Sequence, residues 1–183
     1  MYSTYSATDA EAATRAWVRT MVIGLNLCPF AKGAEDGGRV RYAATEAADR
    51  DNVYQFFLAE MERLVLADPK ELETTLVIIP NHLQHFDDYL DFLEIAEDCI
   101  VEADLEGVVQ VASFHPDYYF QDEDPADVSN YTNRAPHPVL HLLREDTLTF
   151  VLDTYPDAEE IPIRNVKLMR EMGEAQIKAL LGR

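Results

Sequence analysis

The run Thr75-Leu-Val-Ile-Ile79, stopped by Pro80, constrains the fold more than any other stretch. It has no polar alternation. A strand with one wet face alternates, whereas a strand covered on both faces reads as a continuous apolar run. Such strands belong to sheets with helices on both sides. The flanks agree. Residues 51–66 place Val53, Phe56, Phe57, Met61 and Leu64 at helical spacing, and residues 86–103 do the same with Phe86, Leu90, Leu93 and Ile100. Residues 39–45 read as a short polar strand at a sheet edge. Residues 107–114 read as a third strand, ended by His115-Pro116. The middle of the chain is therefore strand-helix-strand-helix-strand. Right-handed crossovers give strand order 1-2-3, with both crossover helices on one face. The first helix and the C-terminal helices then cover the other. The expectation is an α/β or α+β fold over residues 1–183: a single compact domain with a small, mainly parallel three-stranded sheet packed by helices on both faces. Residues 1–7 are expected to form a disordered tail.

The remaining elements are read the same way. Thr8-x-x-Glu11 matches a capping box, and Trp17, Val18, Met21, Val22 and Leu25 follow at helical spacing. Gly24 and Pro29 mark the end of that helix. Residues 117–134 are acidic, aromatic and aperiodic, long enough to suggest a functional loop. Residues 138–144 read as a helix with Pro138 at its first position. Residues 147–155 are ambiguous and are assigned as helix because of their flanks. Pro162 opens a last helix, with Ile163, Val166, Met169 and Met172 on its apolar face.

Charge narrows the function. The net charge is -19, so phosphate backbones and anionic membrane surfaces are repelled, which argues against nucleic-acid and membrane partners. No apolar run reaches the roughly 18–20 residues of a membrane span, and the N-terminal segment lacks a basic region followed by an apolar one. The two cysteines, Cys28 and Cys99, make neither a disulfide framework nor a zinc pair. A reducing, cytoplasmic location is the expectation. No lysine or arginine occurs between Glu71 and Asn133, so an anion site must draw on the few cations outside that stretch.

Three segments carry candidate chemistry. In Leu25-Asn-Leu-Cys-Pro-Phe-Ala-Lys-Gly33, Cys28 is either the cap of a new turn or a plug closing the first helix. A cap would aim free N–H groups at the sulfur, and Lys32 would add a cation; both favour thiolate. His115 falls at the carboxyl end of the third strand, where parallel sheets bind ligands, and Asn81 should share that edge. Asn130, Thr132, Asn133 and Arg134 gather hydrogen-bonding groups ahead of the next element, suited to a carboxylate or phosphate. His141 and Arg144, on the expected helix, would face one pocket. Histidine patterns at His82-x-x-His85 and His137-x-x-x-His141-x-x-x-Glu145 have loosely metal-like spacing, but His137 precedes Pro138 and is ill placed to continue a helix. No metal or cofactor is assigned.

Trp17, Gly24-Leu-Asn-Leu-Cys-Pro-Phe-Ala-Lys32, Ser113-Phe-His-Pro116, Tyr131-Thr-Asn-Arg-x-Pro-x-Pro-x-Leu-His-Leu-Leu-Arg-Glu145 and Ile161-Pro-x-Arg-Asn165 together resemble the bacterial domain-of-unknown-function family 1415. The resemblance spans nearly the whole chain. It implies one domain of this length with recurring polar motif residues, and no activity. At His137 the family pattern would have tyrosine. The leading functional expectation is a cytoplasmic enzyme acting on a small anionic metabolite by hydrolysis or group transfer. Cys28 would be the nucleophile and His115 its base; Lys32, Asn81, Asn130, Thr132, Asn133, Arg134, His141 and Arg144 would hold the anion. The alternatives are a non-catalytic binding protein for an acidic molecule or a protein partner, and a metal-dependent hydrolase or oxygenase.

Overall fold

The computed structural model describes residues 4–121 and 123–182. Its elements in order are α1 (Ala7–Trp17), α2 (Ala31–Asp36), β1 (Val40–Ala44), α3 (Arg50–Leu66), β2 (Thr74–Ile78), α4 (Phe86–Glu102), β3 (Val109–Phe114), β4 (Val139–Arg144), α5 (Glu145–Thr154) and α6 (Ile161–Leu180). They form one mixed sheet of four strands in the order β1-β2-β4-β3, covered by helices. β1 and β2 are parallel, while β4 is antiparallel to both β2 and β3. No helix among the described residues is long and apolar enough to cross a membrane.

The expected three-stranded, mainly parallel sheet is thus corrected. β1, β2 and β3 do run in one direction, but residues 138–144 are not a helix. Val139–Arg144 is a strand that inserts between β2 and β3. Its leucines have good helix propensity, but Val139, Leu140 and Leu142 are all fully buried, spread over both faces of the sheet. Burial on both sides outweighs propensity.

β2 is buried at every position, as its apolar run predicts. The crossover helices α3 and α4 share one face, packing Val53, Phe57, Leu64, Phe92 and Ile100 against Val77, Leu140 and Leu142. Trp17, Met21, Met169 and Ile177, from the first and last helices, cover the other face over Leu76, Ile78 and Val139. Cys99 lies in the first of these cores.

Local chemistry sets the ends. The cap of α1 is Ser6 rather than Thr8: its hydroxyl accepts the Asp9 N–H at 3.1 Å. Residues 1–3 of the expected tail lie outside the described residues. Tyr5 exchanges two hydrogen bonds with the Asn81 amide. Past Trp17 the helix widens into a π-type segment, Val18–Ile23. Gly24 closes it by donating to Arg19 O, and a Cβ there would stand 2.3 Å from Thr20 O, so only glycine fits. Gly173 breaks α6 with φ 73°, a left-handed value that glycine takes freely.

Two buried carboxylates pin the elements. Glu60 on α3 receives Arg41 of β1 at 2.6 and 2.9 Å. Glu35 on α2 receives Arg15 and Arg19, and accepts the Tyr42 hydroxyl at 3.0 Å. Tyr89 of α4 does the corresponding work at the end of the β3–β4 ladder. Its hydroxyl donates to Val139 O at 2.8 Å and accepts the Phe114 N–H at 3.1 Å, bridging the terminal pair Phe114 and Val139. Tyr89→Phe strands both backbone groups in a dry site. It should lose about 1–3 kcal/mol, read as a lower urea midpoint at constant slope. An unchanged midpoint would show that the hydroxyl bridges nothing of consequence.

Candidate functional site

A cavity of about 260 Å³ lies on the sheet face opposite α3 and α4. Its floor is Val40, Thr74, Leu76, Ala112, Phe114, His141 and Leu143, drawn from all four strands. Its walls are Trp17, Val18 and Val22, then Cys28, Phe30, Ala31 and Ala34. Thr147, Leu148 and Val151 of α5 complete it. Two features leave the space unfilled. Ala112, the register partner of His141, is too short to reach the helices. α5 buries none of its residues and leaves Phe150 and Leu152 exposed, so it spans the gap without plugging it.

Two reactive side chains meet this space. The first is Cys28. Pro29 ends the preceding segment, and the next turn closes through the Ala31 N–H, which donates to Cys28 O at 3.2 Å, leaving the amides of Phe30 and Ala31 near the sulfur. The cap of α2 is Phe30, with no side-chain bond, so Cys28 does not cap that helix. Those amides favour thiolate, but burial acts more strongly and pushes the thiol above its ordinary pKa. The Cys28 loop is held from α6: Asn165 donates to Leu27 O at 2.7 Å, and Arg164 donates to Asn26 O. The two C-terminal motif residues therefore position the segment around Cys28. Asn26 itself takes φ 54°, reversing the chain after the π-type segment.

The second is His141, at the centre of β4. Thr74 Oγ1 lies 2.6 Å from its Nε2 and donates its own proton to Leu142 O at 2.7 Å. The hydroxyl must then accept from the ring, which fixes the proton on Nε2 and leaves Nδ1 as a bare acceptor. Burial lowers the imidazole pKa to about 4, so the ring is neutral at physiological pH. Among the described residues, the shut-in side-chain atoms without a partner are Thr14 Oγ1, Trp17 Nε1, Thr75 Oγ1 and Ser129 Oγ. Nδ1 of His141 has no partner among the described residues and is not one of these shut-in atoms, and the ring lines the cavity.

The other expected site residues lie elsewhere. His115 is fully buried on the opposite face, with Phe86 and Tyr89 rings 5.1 Å away. Nε2 donates to Leu83 O at 3.0 Å and Nδ1 accepts the Asp117 N–H at 3.0 Å, so both nitrogens are used. Burial lowers its pKa. The sheet separates it from Cys28. Asn130 is fully buried and bonded to Phe120 N, Asp124 O and Pro125 O. Asn133 donates to Ser113 O and accepts from Thr132. Arg134 donates to Tyr118 O and Pro125 O and stacks over Tyr131 at 4.9 Å. Lys32 pairs with Asp36, one turn on.

Arg144 touches the cavity, but its guanidinium donates to Leu64 O in the last turn of α3 and to Ala67 O and Leu72 O beyond it. His141 and Arg144 both line this cavity, from a strand rather than from the expected helix. No group of three or more His, Cys, Asp or Glu among the described residues is placed to hold a metal. Thr74 is the residue that sequence reading missed. The signal for it was the one-face alternation Thr74, Leu76, Ile78 within an otherwise apolar strand.

The fold and the cavity define the class: a mixed α/β domain that keeps a small, carbon-lined space on one sheet face, with a thiol and a tautomer-fixed imidazole in its wall. The chain belongs to the family described as protein of unknown function DUF1415, whose model matches residues 9–179. No curated protein and no solved structure matches it.

Proposed function

We propose that this protein encloses a small, largely apolar molecule in the cavity beneath α5. The observation that carries the reading is the cavity itself. It is lined almost wholly by carbon and carries a few placed polar groups, the usual make-up of a small-molecule site. The anionic-metabolite reading has less support, because the guanidinium groups of Arg134 and Arg144 are taken up by backbone carbonyls. A thiol enzyme acting on a molecule in the same cavity is the second reading. One feature favours it, the amides of Phe30 and Ala31 near the Cys28 sulfur, which pull against the effect of burial.

Alkylation of Cys28 with iodoacetamide, followed residue by residue by mass spectrometry, tests both. With 1-methoxynaphthalene as probe, the binding reading expects alkylation to slow at least about threefold, since an occupant excludes the reagent. A rate indifferent to saturating probe overturns it. The pH profile without probe separates the two readings. Burial of the thiol predicts a midpoint above the free value of about 8.5. A midpoint below about 7.5 would establish an activated thiolate and favour the enzyme.

A further inference from the structure

We propose that the molecule held in this cavity is uncharged and carries a hydrogen-bond donor, a hydroxyl or N–H, which His141 Nδ1 receives. This rests on the cavity reading above and adds the recognition chemistry. The argument runs through Thr74. Its hydroxyl proton goes to Leu142 O, so its oxygen must accept from Nε2, and Nδ1 is left with a lone pair and no partner among the described residues. The ring that carries it lines a space shared with Trp17, Phe30, Phe114 and Leu148. An occupant displaces the water that serves this acceptor, so a ligand that supplies a donor replaces the lost bond. A ligand lacking the donor must leave the acceptor unpaired.

Size sets the other limit. An apolar cavity of about 150 Å³ accommodates benzene, so about 260 Å³ accommodates a two-ring aromatic or a short alkylphenol. Charge is disfavoured. Cys28 and His141 are both neutral at physiological pH, Glu73 is paired with Arg39 at 2.9 Å, and Arg144 is bonded to carbonyls. A neutral molecule enters without losing the hydration of an ion.

The test compares two probes of nearly equal shape on the full chain: 1-naphthol, which has the donor, and 1-methoxynaphthalene, which does not. Trp17 is the sole tryptophan and lines the cavity, so its emission reports occupancy. The expected result is that 1-naphthol binds about fivefold tighter, the usual net value of one hydrogen bond. His141→Leu should erase the preference while keeping the ether's affinity. In 15N-histidine spectra the Nδ1 signal of His141 should move with 1-naphthol and stay with the ether, a readout that needs no variant. Equal binding of the two probes, or an unmoved Nδ1 signal at saturation, overturns the donor assignment and leaves the cavity reading standing. If neither probe binds and neither slows Cys28 alkylation, the cavity reading fails, and this inference with it.

Discussion

His115→Leu should lower stability by about 3 kcal/mol at pH 7.5, roughly 6–12 °C in Tm for a chain of this size. Leucine is near enough in volume to avoid a large void, so the loss is mainly polar. Two backbone groups lose their partners, Leu83 O and Asp117 N. Leu83 also has φ 58°, a left-handed value a branched residue keeps only under restraint. The bond from His115 is one such restraint. The effect must depend on pH. Burial holds the folded-state pKa of His115 below the unfolded value of about 6.5. A depressed histidine pKa contributes stability that is present above about pH 6.5 and is lost as pH falls, because the unfolded chain binds the proton first. The variant has no such proton to bind. Its deficit against wild type should therefore shrink between pH 6.5 and 4.5. Urea melts at several pH values check this, and a deficit constant across that range would refute it. The same variant should leave the pH profile of Cys28 alkylation untouched. A shifted profile would show the two residues acting together across the sheet.

Asn130→Ala should cost about 2–4 kcal/mol and open residues 117–134 to proteolysis. The side chain is fully buried and serves three backbone groups: it accepts from Phe120 N and donates to Asp124 O and Pro125 O. Each orphaned group costs about 1–3 kcal/mol where water cannot reach it, less at the more open carbonyls. Asn130→Asp sharpens the test. It keeps the bond from Phe120 and replaces both donations with oxygen facing oxygen, so it should be no milder than alanine. A cleavage rate within about twofold of wild type for both variants would show that the loop holds its shape by other means.

Much of this fold was written locally. The run Thr75–Ile79 places a covered central strand, the amphipathic periods of 51–66 and 86–103 place both crossover helices on one face, and the polar composition of 39–45 marks an edge; the structure has all three. What failed was Val139–Arg144. Five residues of Val-Leu-His-Leu-Leu fit a period of 2 or 3.6 equally well. The decision lies with β2 and β3, whose open ladders need a strand between them, and nothing near residue 139 encodes that demand. The site divides in the same way. The turn from Cys28 to Ala31 follows from Pro29 and is local. The carbonyl partners of Arg144 come from residues more than seventy positions away, and no spacing reveals them. An arginine beside a polar motif looks free in sequence because its partner is tertiary.

The placement of β4 also governs how the chain assembles. β3 touches only β4 in the sheet, and β4 is made later. As the polypeptide leaves the ribosome, β1 and β2 can pair around α3, but β3 emerges with no neighbour to receive it. It must wait beside α4, across a gap one strand wide. When residues 139–144 arrive, they close two ladders at once, to β2 on one side and β3 on the other. Completion of the sheet is thus a single late event with high sequence separation, the kind that slows folding. Until then two unpaired strand borders stand open, and these are the borders that invite wrong partners.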